Sequence, residues 1–456
     1  MPQSAEHQSF THSRDVPGRG AQTHRSSKYD VPKAPELDLH RRLAVLGIRF
    51  VAAEQLSLQS RSVSKSAACT MCWVRKVACR KEGKSICRPC IKLEIPNYIC
   101  NQERMTAHKP FEKWKDKIYE LLSTTVKSFE SQDAVQAELQ HYSGGPYLNV
   151  ACQEFVPADD DQVYVLEKSS DGWQLQRTHA FCLSNPAVDI SAYVKNCIPY
   201  AVAEAIQRQD DASELFRLSC ENYAYNPLIY DCMELYTTLR LLQRGWRFKG
   251  QNPLGMAMPV ITDRNSAWYG AVPPPERVQK QLDHRLELHM IQVDERVLKN
   301  LQKLFLIKDN RVWAPATLAT FHVLHVRELD GGRILHWNRY HDTARFWNHP
   351  SKPATLIGET VLSCNSILWH YHCAIGQIPL ELDWDDPVRM AMVGNDELFL
   401  STMKSIQLYV QMMRTGGKIG RKASVLYTDG NPNSVTFTIS SLLFTTMKSC
   451  VVSDFY

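Results

Sequence analysis

Residues 69–100 read CTMCWVRKVACRKEGKSICRPCIKLEIPNYIC. Six of the chain's 14 cysteines lie in this stretch, in the spacing C-x2-C-x6-C-x7-C-x2-C-x9-C: Cys69, Cys72, Cys79, Cys87, Cys90 and Cys100. Cysteines three apart share one side of a helical turn, and Cys72 and Cys79, seven apart, face the same way after two turns. Nothing in the sequence points to secretion, so a dense cysteine group reads as a metal site rather than a set of disulfides. A segment this short cannot build a sufficient core, and a metal would replace one. Counting then narrows the site. A closed structural zinc takes four ligands. Six thiolates leave two over for one zinc, and they satisfy two zincs only if two of them bridge. The expectation is a binuclear Zn2Cys6 cluster of formal charge −2. The seven Lys/Arg and two Asp/Glu of the same segment more than offset that charge, and the cationic surface left suits a phosphate backbone.

Outward from this stretch, charge is uneven. Residues 1–68 hold ten Lys/Arg against six Asp/Glu, and the residues after 100 sum to a net negative charge. A basic first hundred on a mildly acidic body suggests a head that binds a polyanion, with a solvated charged face as the bland alternative. No run of 18 apolar residues appears, so no membrane span is expected. The apolar stretch from Leu43 to Ala53 is broken by Arg49 and lies too far from Met1 to read as a signal peptide.

Residues 1–60 are expected to be a disordered basic region, 61–104 the cysteine domain, and 105–180 a linker with a short amphipathic helix. In that helix Phe111, Trp114, Ile118 and Leu121 recur at helical spacing. Two heptads fall short of a coiled coil, which leaves a dimerisation helix or a helix packed on its own domain. Residues 181–415 read as one mainly helical body, with helical periods at 192–206, 226–245, 276–307, 315–329, 359–375 and 394–413. The clearest runs through Leu228, Ile229, Cys232, Leu235, Tyr236, Leu239 and Leu242, with Asn226 as cap, Pro227 in the first turn and Gly245 at the end. Strand signals are few and short, as at Val163 to Leu166. Residues 330–351 read as a long loop, and 416–456 as an irregular tail with weak alternation from Ser434 to Thr445.

With these residues in view, the cysteine segment resembles the fungal Zn(II)2Cys6 zinc-cluster DNA-binding domain. Arg75 and Lys76 match that family's basic pair three and four residues after the second cysteine, and Lys92 its basic residue two after the fifth. The resemblance implies that Cys69 and Cys87 bridge, that Cys69, Cys72, Cys79 and Cys87 hold one Zn2+, and that Cys69, Cys87, Cys90 and Cys100 hold the other. It implies that Arg75 and Lys76 end the first short helix and reach guanine edges of CGG-type triplets in the major groove of double-stranded DNA. Arg80, Lys81 and Lys92 complete the candidate DNA contacts. The sequence departs from the family at Trp73 and Ala78, where a basic residue is frequent, in the absence of proline from Arg80 to Ile86, and in the last spacing of nine. No departure removes a metal ligand; they bear on base preference and phosphate affinity. The body, through ERVQKQLDHRLELHMIQVDERVLKNLQKLFL ending at Leu306 and SCNSILWHYHCAIG at 363–376, is similar to the regulatory region of such factors. Together the resemblances imply a metal-stapled domain followed by a mainly α-helical regulatory domain, in a nuclear regulator of transcription that forms homodimers on paired triplets and meets co-regulators or the transcription machinery.

Two other readings compete: a zinc-cluster protein-interaction module without DNA binding, and a helical-body enzyme with a zinc-stapled appendage. For enzyme chemistry the body offers little. His322 and His325, three apart on a helix, could share a metal, though packed core histidines are the commoner outcome. His370 and His372, two apart, point away from each other on a helix. His336, His341 and His349, with Asp330 and Asp342, fall in the expected loop and read as solvated. The eight other cysteines, Cys152 through Cys450, are scattered singly and read as core. No phosphate-cradling glycine loop, nucleophile elbow or dinucleotide fingerprint is present, so no enzyme is expected.

Overall fold

The computed structural model describes residues 68–80, 86–92, 100, 104–158, 163–169, 172–185, 188–250, 254–256, 271–339, 347, 349–376, 378–416 and 440–444. The basic region 1–60 lies outside the described residues, as do Lys81, Asp342, Cys450 and most of the tail.

Two five-residue helices form the cysteine head, α1 (Thr70–Val74) and α2 (Arg88–Lys92). The chain then makes 3₁₀ turns at Met105–Ala107 and Pro110–Lys115 and enters α3 (Lys117–Thr124). The Asp116 carboxylate caps α3, accepting from the amides of Ile118 and Tyr119 at 2.8 and 3.1 Å. Phe111 and Trp114 are buried in the core that the body helices share. Phe111 and Trp114 thus sit in a 3₁₀ turn rather than on one helix with Ile118 and Leu121, and they pack on the chain's own body.

Strands follow: β1 (Phe129–Gln140), β2 (Tyr147–Phe155), β3 (Tyr164–Ser169), β4 (Gly172–Arg177) and β5 (Phe181–Leu183). Then come α4 (Ile190–Gln207), α5 (Ser213–Tyr223), α6 (Pro227–Arg244) and the two-residue β6 (Arg247–Phe248). The sheet order is β5-β2-β1-β6, all antiparallel, while β3 and β4 form a separate hairpin. This is more sheet than the sequence suggested. In β1, FESQDAVQAELQ lacks the β-branched and aromatic enrichment of a strand, and its first half is largely exposed. Pairing to β2, with Val135 opposite Cys152 and Leu139 opposite Leu148, holds it extended rather than propensity.

The remaining helices are α7 (Glu276–Leu304), α8 (Trp313–Arg339), α9 (Pro353–Ala374), α10 (Ile378–Glu381), α11 (Pro387–Met392) and α12 (Glu397–Thr415). Helix α7 packs on α6, on α3 and on β5, while α8 packs between α6 and α9. The structure is mainly helical, and the expected helical periods lie within these helices to within a few residues at their ends. In α6, Asn226 accepts from the amides of Leu228 and Ile229 at 3.0 and 3.3 Å, and Gly245 takes φ +75° at the end. Asn226→Ala is expected to lower stability by about 1 kcal/mol, the usual worth of such a cap, measured by urea denaturation of the full chain.

Residues 330–339 correct the loop reading, because α8 runs unbroken through Gly331 and Gly332 to Arg339. Two glycines cost a helix about 2 kcal/mol relative to alanine; packing on α9 and buried ion pairs outweigh that. Asp330, read as a solvated loop residue, is fully buried and paired with Lys113 at 2.5 Å and Arg333 at 3.2 Å. His349, also read as solvated, is buried, with Nε2 2.9 Å from the Lys113 carbonyl and Nδ1 accepting from the Ser351 amide. Within Ser434–Thr445 the described residues form a 3₁₀ turn at Ser440–Phe444 rather than a strand.

Candidate metal centre

Local backbone chemistry brings the six thiols together. Cys69 is the N-cap of α1, and its Sγ accepts from the Cys72 amide at 3.5 Å. The Cys69 amide points to Cys79 Sγ at 3.3 Å, and the Cys87 amide to Cys100 Sγ at 3.2 Å, so each outlying single cysteine is drawn to the start of a pair. The Arg88 amide donates to the Arg80 carbonyl at 3.0 Å, tying the halves. Two overlapping groups result, Cys69, Cys72, Cys79 and Cys87, and Cys69, Cys87, Cys90 and Cys100. Within each, all Sγ atoms lie within 4.8 Å of one another, and each group could hold a metal ion. Cys69 and Cys87 belong to both, 3.7 Å apart; Cys72 lies 3.5 Å from Cys87 and Cys90 3.6 Å from Cys69.

Five of the six are buried, with Cys79 partly so. Burial pushes the Cys69 thiol up to about 12 and those of Cys72 and Cys90 higher still. Cys87 is drawn the other way, to about 6: burial opposes this, but the Cys90 amide and the Cys90, Cys72 and Cys100 thiols favour its thiolate. Sulfurs that converge in this way could hold a cation, whose charge would favour the thiolates that burial disfavours.

Arg75 and Lys76 end α1. Lys76 adopts the left-handed conformation, φ +55°. Its amide donates to the Trp73 carbonyl at 3.2 Å and the Val77 amide to the Cys72 carbonyl at 2.9 Å, the paired bonds of a Schellman turn. Arg75, Lys76, Arg80, Arg88 and Lys92 are exposed. Arg88, not singled out from the sequence, joins the exposed basic set.

Among the described residues no other cluster of three or more histidine, cysteine or carboxylate side chains converges as a ligand set. His322 Nε2 lies 2.8 Å from Ser219 Oγ, and His325 stacks on Phe321, both in the core. His370 Nδ1 bonds the Ser366 carbonyl at 2.7 Å. The side chains of His336 and His341 lie outside the described residues. The scattered cysteines Cys152, Cys182, Cys197, Cys232 and Cys364 are core residues, whereas Cys373 is buried against the cysteine head.

What the fold and site define is a basic, cysteine-rich head with metal-ligand geometry, carried on a mainly helical body. A family model described as KpeA transcription factor matches residues 102–442, most of the chain and all of that body but not the head. The chain belongs to the KpeA transcription factor family, a family of transcription regulators. No curated protein and no solved structure matches it. Among the described residues no helix is long and apolar enough to cross a membrane.

Proposed function

We propose that the chain is a sequence-specific DNA-binding regulator of transcription in the nucleus, whose residues 61–104 hold two Zn2+ through six shared thiolates and read CGG-type triplets. The observation that carries this reading is the pair of sulfur quartets sharing Cys69 and Cys87. Four sulfurs around a tetrahedral zinc at about 2.3 Å lie roughly 3.8 Å apart, and the 3.5–3.7 Å Sγ separations here sit close to that. Zinc would supply the fold of the head, a structural role with no open coordination position.

Support for the DNA partner is the exposed basic set on that head, joined to a body of a transcription factor family. Arg75 and Lys76, at the exposed end of α1, are the residues proposed to reach guanine O6 and N7, with Arg80, Lys81 and Lys92 on phosphate. Zinc-loaded full-length protein is expected to bind a CGG-containing duplex with affinity that falls steeply with salt. A base contact of this kind is worth about 1–3 kcal/mol, so Arg75→Ala with Lys76→Gly should weaken binding tenfold or more. Glycine suits the left-handed backbone at 76, which makes a loss in this variant a loss of side chains rather than of fold. Undiminished binding would remove the pair from the reading role.

A further inference from the structure

We infer that Trp73 is a positioning residue that seats the cysteine head on helix α9, so that head and body present Arg75 and Lys76 in one fixed orientation. Four observations meet at this residue. The Trp73 indole stands edge-on to the His370 ring, centroids 6.2 Å apart and planes at 76°. The Arg104 guanidinium lies 4.3 Å from the centroid of the same indole, and its Nη2 donates to the Ala68 carbonyl at 3.1 Å, one residue before the first ligand cysteine. Trp369, Cys373 and Ala374, at the end of α9, pack against the buried cysteines of the head, and α1 rests chiefly on α9. The tether is short as well: three residues separate Cys100 from Arg104, and Met105, just beyond, is fully buried in the core of the body.

The geometry has a direction. Met71, Cys72 and Val74 of α1 are buried and Trp73 is half-buried, while Arg75, Lys76, Val77 and Ala78 are exposed. Docking therefore uses the body of α1 and leaves its basic end open. It is a seat and not a mask. A head held this way cannot swivel on its tether, so the body must be accommodated beside whatever Arg75 and Lys76 touch, and the spacing of any second site is set by the body.

The seat does not depend on the DNA-reading role, although the consequence for site spacing rests on it, and the test separates them. Hydrogen exchange is followed by mass spectrometry on the full-length, zinc-loaded chain without DNA, in peptides covering 68–80 and 366–376. Cation–π and edge-to-face contacts of a partly desolvated tryptophan are together worth about a factor of ten or more in the opening equilibrium. Trp73→Ala and Arg104→Ala are each expected to raise exchange in both peptides about tenfold, with Trp73→Phe recovering most of the protection and zinc content unchanged. If Trp73→Ala loses zinc, Arg104→Ala decides, since Arg104 is no ligand. Unchanged exchange at 366–376 in whichever variants retain zinc would overturn the seat. Failure of the wild type to bind a CGG-containing duplex would count against DNA reading alone, because the exchange measurement contains no DNA. With binding intact, Trp73→Ala is expected to relax the spacing preference for paired triplets while leaving affinity for a single triplet within about twofold.

Discussion

Asp330→Ala is expected to destabilise the helical body by about 3–5 kcal/mol, the cost of leaving a buried charge without its partner. Asp330 and Lys113 are both buried, and their side chains meet at 2.5 Å. Burial pushes the Lys113 ammonium below its ordinary range in spite of that partner. Burial alone would raise the Asp330 carboxyl, but Lys113 and Arg333 overcome it and hold it below the ordinary value. Once the carboxylate is gone, Lys113 keeps the rings of Trp114 and Phe111 at 5.0 and 5.4 Å, the repulsion of Arg333 and the weaker attraction of Glu359. The ammonium can then shed its proton instead of staying charged in the core, which keeps the loss in this range rather than at idealised desolvation values. Guanidinium denaturation of the full chain at pH 7 checks it, and a loss under 1 kcal/mol would mean the pair is not closed in solution.

The pH dependence has a definite sign. A carboxyl whose folded value is depressed contributes stability that is fully present above its unfolded value, about 3.9, and is lost as pH falls through the folded value. The wild type is therefore expected to lose stability below about pH 4 more steeply than Asp330→Asn, which has no such proton to take up.

This ion pair also shows where the sequence stops being legible. Helix α6 could be read whole, because Asn226, Pro227 and Gly245 punctuate a strong apolar period and local signals agree with the tertiary outcome. Residues 330–339 could not, since Asp330 and the two glycines argue for a turn by every local rule, and the partner that overrules them, Lys113, is more than two hundred residues away. Strand β1 was hidden for the same reason, its conformation being set by β2 and not by its own side chains. The cysteine head sits at the other extreme. Its ligand arithmetic needs only spacing and charge, so the candidate residues were readable before any coordinates. What spacing could not give is where the head rests: Trp73 stood out only as an oddity after the second cysteine, His370 only as half of a histidine pair facing apart, and Arg104 carries no local mark at all.

Sharing is the most demanding part of the zinc proposal, and serine substitutions separate it from simpler arrangements. Cys69 and Cys87 are common to both quartets, whereas Cys72 and Cys79 belong to one and Cys90 and Cys100 to the other. If two Zn2+ share the first pair, Cys69→Ser or Cys87→Ser leaves each ion with three thiolates, while Cys79→Ser or Cys100→Ser leaves one quartet whole. The bridging variants are expected to hold no zinc against a competing chelator, and the terminal variants one ion per chain against two in the wild type. Structural zinc contributes roughly 10–16 kcal/mol to folding in small domains of this kind, far more than the packing of two five-residue helices. The head of a bridging variant should therefore lose exchange protection throughout 68–92, and the end of α9 that seats it should loosen too, while α4 to α8 keep theirs, their stability resting on a separate core. Equal zinc retention in Cys69→Ser and Cys79→Ser would exclude bridging. The distinction can be made because, among the described residues, no side chain of the body joins either quartet: Cys373 lies against the cluster yet belongs to neither.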